Sequence, residues 1–284
     1  MQLGDFEITI VSDGYFRLDG GAMFGVVPRV LWEKKMRPDD RHRVRLAVRC
    51  LLVRNGNRTI LIDSGQGNKY SEKFRDRQAV EQPLTLPDDL RRNGVTPEEV
   101  TDVINCHLHF DHAGWNTVRE GGREDGRLVP GFPNARYWSQ RGEWERARDY
   151  ANQRDQASFE PDDFLPLKEQ HWELTNGEKS ILPGMEIIPL PGHSLHTQGV
   201  LIRAGGQTVA FLGDLIPTVH HVQYSWIMAF DLNPVETLAT KRKILPRAVA
   251  EKWLCVFDHD PEIRAGRIIE PKPGALAVIP IEEI

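Results

Sequence analysis

Four metal-binding side chains fall within six residues of this chain, in the run His107-Leu108-His109-Phe110-Asp111-His112. The run closes the apolar stretch VINCH (103–107), which reads as a β-strand. A mononuclear site seldom draws four ligands from one stretch, because tetrahedral coordination is usually completed from distant segments. Two ions sharing the stretch is the simpler account, and it demands ligands from elsewhere. Suitable residues stand just past later apolar runs: His193 after EIIPL (186–190) and Pro191-Gly192, Asp214 at the end of QTVAFLGD (207–214), and His259 after KWLCVFD (252–258). Such a chain must fold so that several strand ends meet at one edge.

Strand-like runs recur throughout: FEITIVSD (6–13), LAVRCLLVR (46–54), RTILIDSG (58–65) and GVLIRA (199–204) join those above. Asn55-Gly56-Asn57 and Gly205-Gly206 split neighbouring runs as hairpin turns do. Helical patterns lie between them, in 85–94, 139–153 and 233–252. Asn233-Pro234 starts the last of these well, and Pro246 should kink or break it. Strands in both halves with helices between them predict two sheets packed face to face and covered by helices. Segments 14–45 and 115–135 lack periodicity and read as long loops.

With no low-complexity tract or Ser/Gly/Pro-rich linker, residues 1–284 read as one α/β domain. Apolar residues make up 40% and charged residues 27%, as in ordinary packed proteins. A net charge of −5 offers no basic face for a phosphate backbone, so nucleic acid is not an expected partner. The start, MQLGDFEITIVSDG, lacks the features of a secretory signal, and no run is long enough for a membrane span. Cys50, Cys106 and Cys255 lie in apolar runs without paired spacing, which fits buried, reduced thiols and a cytoplasmic setting.

HLHFDHAG (107–114), PGHS (191–194), LGD (212–214), FDH (257–259) and LIDSG (61–65) together resemble the metallo-β-lactamase superfamily. The resemblance implies an αββα sandwich of two mixed sheets and a dinuclear site. It would place His107, His109 and His193 on one ion, Asp111, His112 and His259 on the other, and Asp214 between them. Asp63 would orient a ligating imidazole from behind. Imidazole and carboxylate suit two zinc ions, and iron, manganese or cobalt accept the same donors.

The chemistry so implied is hydrolysis of an ester-like bond by a metal-bridging hydroxide, with Asp111 and Asp214 as catalytic carboxylates. Within the superfamily the motifs look most like the quorum-quenching acyl-homoserine lactonases and the methyl parathion hydrolase-like branch. The expected substrate is therefore a lactone, aryl ester or phosphotriester. Two positions depart from the lactonase pattern: Pro217 stands where that pattern has a Tyr, and Thr197, preceded by His196, stands where it has a His. His220, His221 and Tyr224 are candidates to replace the Tyr as proton donors. Met23, Phe24, Trp115, Trp226 and Phe230 are candidates to line an apolar pocket. Alternative readings are a glyoxalase II-like thioesterase, with Lys241, Arg242 and Lys243 as a basic groove, and an iron-dependent oxidoreductase on the same ligands. Dimerisation of many relatives makes a homodimer the expectation by analogy.

Overall fold

The apolar runs form two mixed sheets of seven strands each among the described residues, which are 1–151 and 153–282 of a computed structural model. The first sheet runs, in spatial order, Gln2–Leu3, Phe6–Asp19, Arg43–Asn55, Arg58–Ile62, Asp102–Ile104, Arg136–Gln140 and Trp172–Thr175. The second runs Lys179–Leu182, Met185–Pro189, Gln198–Ala204, Gln207–Phe211, Leu254–Val256, Ala265–Lys272 and Ala275–Ile281. Spatial order follows chain order in both. The N-terminal part of the chain therefore builds one sheet and the C-terminal part the other.

The inner faces meet over a shared core in which Ile8, Leu51, Ile62 and Ile104 pack with Ile187, Val200, Phe211 and Val256. Each such side chain, withdrawn from water, contributes roughly 1.5–3 kcal/mol. Cys106 lies in this core, and burial pushes its thiol well above the ordinary range. Cys50 and Cys255 are also buried and free. All three cysteines thus sit where the sequence put them, as small core residues.

Helices cover the outer faces because parallel neighbours need crossovers. Helix Leu86–Arg92 lies between the parallel strands Arg58–Ile62 and Asp102–Ile104, and helix Arg141–Arg148 joins Arg136–Gln140 to Trp172–Thr175. Leu86, Leu90 and Ala147 bury their side chains against Leu52, Leu61, Val103 and Tyr137. Helix Pro234–Ala250 links the parallel strands Gln207–Phe211 and Leu254–Val256 and packs Ile244, Leu245 and Ala248 on Leu201 and Ala210. The result is an αββα sandwich.

Some expectations need correction. Pro246 does not break its helix, which runs unbroken from Pro234 to Ala250. Pro246 and Arg242 are both exposed, so water can satisfy the carbonyl that loses its partner. The helix expected over 139–153 is shorter, Arg141–Arg148, and its far end crosses Asn152, which lies outside the described residues. Segment 14–45 is not one loop: residues 14–19 extend the strand Phe6–Asp19, with a bulge between Ser12 and Tyr15. Segment 115–135 contains the antiparallel pair Thr117–Arg119 and Leu128–Pro130. Both expected hairpins form, and at the second Gly205 (φ 57) and Gly206 (φ 74) take the left-handed backbone of a type I′ turn.

Candidate metal centre and substrate cleft

Four of the parallel strands end at one place. Asp63 follows Arg58–Ile62, His107 follows Asp102–Ile104, Asp214 follows Gln207–Phe211 and His259 follows Leu254–Val256. The chain leaves the first sheet after Ile104 and turns into the short helix Phe110–Ala113, which places Asp111 and His112 beside His107 and His109. Gly114 ends that turn. A Cβ there would stand 2.1 Å from the carbonyl carbon of Gln66, so the close approach to the 64–67 loop admits only glycine.

Five imidazoles and a carboxylate converge. His107 Nε2 and His193 Nε2 lie 3.0 and 3.2 Å from His109 Nδ1, and His193 Nε2 is 3.1 Å from Asp214 Oδ2. On the other side His259 Nε2 is 3.2 Å from both His112 Nε2 and Asp214 Oδ1. Donor atoms fall into two groups, His107, His109 and His193, and His112, Asp214, Asp258 and His259, with all atoms of a group within 4.8 Å of one another. Asp111 adjoins the second group, 3.6 Å from His259 Nε2 and 3.9 Å from His112 Nε2.

The far nitrogens of four of these rings are already engaged. His112 Nδ1 donates to Asp63 Oδ2 (2.8 Å), His193 Nδ1 to Asp231 Oδ1 (3.0 Å), His259 Nδ1 to the Ala47 carbonyl (2.7 Å) and His109 Nε2 to Asp155 Oδ2 (3.3 Å). A neutral imidazole has one N–H. With it turned outward, each inward nitrogen is a bare lone pair, and lone pairs 3.2 Å apart repel unless a cation or proton lies between them. Asp214 Oδ1 is likewise buried without a hydrogen-bond donor among the described residues. The donor set fits a pair of cations of the zinc type.

The field points the same way. Burial disfavours the charged form of His193 and His259, yet carboxylates overcome it: Asp214 and Asp231 raise His193 to about 8, and Asp258 and Asp214 raise His259 to about 9. Burial opposes ionisation of Asp214 as well, but His193, His259 and His112 hold it well below the usual carboxylate range. The pocket attracts positive charge.

Beside the groups opens a cleft of about 170 Å³ whose floor carries His109, Asp111, His193, Asp214 and His259. Its walls are apolar, from Phe16, Leu46, Phe110, Met23, Met228 and Phe230. Arg77, Gln78 and Ser158 supply the polar groups on the rim.

Residues 43–119 match the metallo-beta-lactamase superfamily. The matched stretch spans the strands Arg43–Asn55 and Arg58–Ile62 and the run from His107 to His112. An N-acyl homoserine lactonase of Bacillus cereus is 26% identical over 241 residues, covering 80% of this chain and 86% of its own. A probable metal-dependent hydrolase from Staphylococcus aureus, 27% identical, superposes over the whole of both chains with a TM-score of 0.89. AidC, a dizinc quorum-quenching lactonase solved in complex with a product, shares the fold with a TM-score of 0.79 at 20% identity, over 100% of this chain and 97% of its own.

The expected proton donors do not line the cleft. His221 is buried behind it, accepting from Thr218 Oγ1 (2.8 Å), donating to the Met23 carbonyl (2.9 Å) and stacking on Phe24. His220 opens on a separate cavity beside Lys35, and Tyr224 packs against the core under helix Pro234–Ala250. The two residues after Asp214, Leu215 and Ile216, turn into the core, and this carries the chain past the cleft before residue 220. Pro217 is buried, and its carbonyl accepts from His259 N (3.0 Å). Thr197 caps Ser194 N (3.0 Å), while His196 is exposed over Gly142.

Of the expected pocket residues, Met23 and Phe230 line the cleft; Phe24 and Trp226 stand behind it, and Trp115 packs on the outer face of the first sheet. Lys241 cannot form a basic groove, because it is buried. Asp231, Asp155 and Asp258 escaped the sequence reading, as did Glu143. The Glu143 carboxylate accepts from Leu108 N (3.2 Å) and Ser194 Oγ, tying the two ligand loops together. No local motif marks Asp231, Asp155 or Glu143, and Asp258 stands inside FDH (257–259), where the motif points to His259.

Proposed function

We propose that the protein is a dinuclear zinc hydrolase that cleaves a lactone or neutral ester. One observation carries this reading: inward lone pairs of fixed imidazoles meet around Asp214 at the floor of an apolar cleft. His107, His109 and His193 would hold one ion, His112, His259 and Asp111 the other, with Asp214 shared. Two divalent ions held there would polarise an ester carbonyl and lower the pKa of water toward 7.

The protein's own residues do the rest. Phe16, Phe110, Met228 and Phe230 take the acyl part and exclude bulk water, which strengthens every charge interaction at the floor. Asp63, Asp155 and Asp231 hold the imidazoles in one tautomer and one orientation. Asp111, on the cleft floor, takes a proton from the attacking water at Oδ1 and returns it to the leaving oxygen, a role open to it because Pro217 offers no hydroxyl. The likeness to N-acyl homoserine lactonases supports the ester or lactone class.

The test is a panel of lactones, aryl esters, phosphotriesters and acyl-glutathione thioesters, run on zinc-loaded protein and on His109→Ala. Lactone or ester cleavage should fall about a hundredfold or more in the variant. A variant that matches the native protein on every substrate, or a thioester as the one substrate cleaved, refutes the proposal.

A further inference from the structure

The cleft wall carries a single permanent cation among the described residues, Arg77. The arginines that adjoin the 76–78 elbow in the fold are paired. Arg17 and Arg45 meet Glu81 at 3.4 and 2.9 Å, Arg43 meets Asp39 at 2.9 Å, and Arg41 meets Asp76 at 3.8 Å. Arg77 has no carboxylate at ion-pair distance among the described residues. Its guanidinium instead lies 5.2 Å from the centre of the Phe74 ring, an arrangement that steadies the plane and leaves the N–H edges free. Glu160, which lines an adjoining cavity with Arg77, feels its charge without pairing.

The backbone under Arg77 is fixed. Helix Glu72–Arg77 ends there, and Gln78 N bonds to the Phe74 carbonyl at 3.0 Å. The Gln78 carbonyl accepts from Arg17 N (2.7 Å) and the Arg77 carbonyl from Arg43 Nη1 (2.9 Å), which docks the elbow on the first sheet. An unpaired fork of donors therefore stands at the end of that helix, between the apolar cleft wall and a polar cavity lined by Glu160, Asp162 and Asp163. A substrate whose far end is a methyl group would take water from that fork and return no acceptor, whereas a carboxylate matches it with two parallel hydrogen bonds.

We propose that Arg77 selects esters whose acyl part ends in a carboxylate, gripping that group at the rim while the scissile carbonyl lies at the floor. The inference rests on the hydrolase reading for its catalytic arm only, and it narrows the ester of that reading to one whose scissile group is neutral but whose acyl end carries a carboxylate. Chromogenic half-esters of the dicarboxylic acids from succinate to suberate, compared with alkanoate esters of equal length, test it in the native protein, Arg77→Met and Arg77→Lys.

The native protein should favour the carboxylate-ended series about tenfold or more in kcat/KM. The ratio should shrink with added salt, collapse toward unity in Arg77→Met and recover in part in Arg77→Lys. A second arm uses the matching amides, which resist cleavage. Calorimetry on metal-free protein should show the carboxylate-ended amide binding about tenfold more weakly to Arg77→Met. Equal preference for the two series in the native protein, or the same ratio in Arg77→Met, overturns the inference while leaving the hydrolase intact. Arg77-dependent binding of the amide with no ester cleaved overturns the hydrolase and leaves carboxylate recognition standing.

Discussion

At His221 two hydrogen bonds and a stacked ring fix a neutral imidazole behind the cleft wall. Burial, then the nearby charge of Lys241, push its pKa down to about 3 from the ordinary 6.5. The unfolded chain takes up a proton near pH 6.5 that the folded chain refuses until about pH 3, so stability falls as the pH drops through that window. His221→Phe keeps the stack on Phe24 but leaves the Met23 carbonyl without its donor and the Thr218 O–H without its acceptor, at a cost of about 1–3 kcal/mol near pH 7. Urea melts at pH 7 and pH 5 should show the native protein losing more stability than the variant over that step. Equal losses would mean that the imidazole is not held neutral.

The ligands were legible because residue type and position after an apolar run restrict them on their own. Their supports were not. Asp231 reaches His193 across 38 positions, Asp155 reaches His109 across 46, and Glu143 reaches Ser194 across 51, distances that only the folded chain closes.

Helix Pro234–Ala250 does more than cover the second sheet. Its Lys241 is 1% exposed and donates Nζ to the carbonyls of His221 (2.8 Å), Gln223 (3.3 Å) and Trp226 (2.6 Å). The strap so gripped leads directly to Met228 and Phe230 of the cleft wall and to Asp231 behind His193. Lys241→Met keeps the stem and removes the three donors. We expect a loss of about 2–4 kcal/mol and faster amide exchange over residues 221–231, with helix Leu86–Arg92 unaffected. Exchange unchanged in the strap would show that the ammonium does not hold it.

At this scale the sequence was read well where patterns are long and poorly where they are short. Strands Arg136–Gln140 and Trp172–Thr175 have five and four residues, too few for a period to emerge, and each depends on parallel partners from elsewhere. The edge pair Ala265–Lys272 and Ala275–Ile281 mixes Arg, Glu, Lys and Pro among its apolar residues because half of it faces water.

For the molecule as a whole, the ligand set straddles the seam between the sheets. His107, His109, Asp111 and His112 belong to the first sheet's part of the chain; His193, Asp214 and His259 belong to the second's. Ions bound there would stabilise the native state alone, by about 2.7 kcal/mol per site at a hundredfold excess over Kd. Stripping them with a chelator should lower Tm by roughly 10 °C for a chain of this size, and zinc should restore it. Scanning calorimetry before and after dialysis would check this, and an unchanged Tm would refute binding at the seam.

Only Asn176, Gly177 and Glu178 carry the chain from the last strand of one sheet, ending at Thr175, to the first strand of the other, starting at Lys179. A protein nicked at that joint would become two fragments, neither owning a complete cradle for either ion. Zinc would then serve as the rivet between them. Metal supply would then govern both whether the fragments react with a substrate and how tightly they stay joined beyond what their shared apolar core provides.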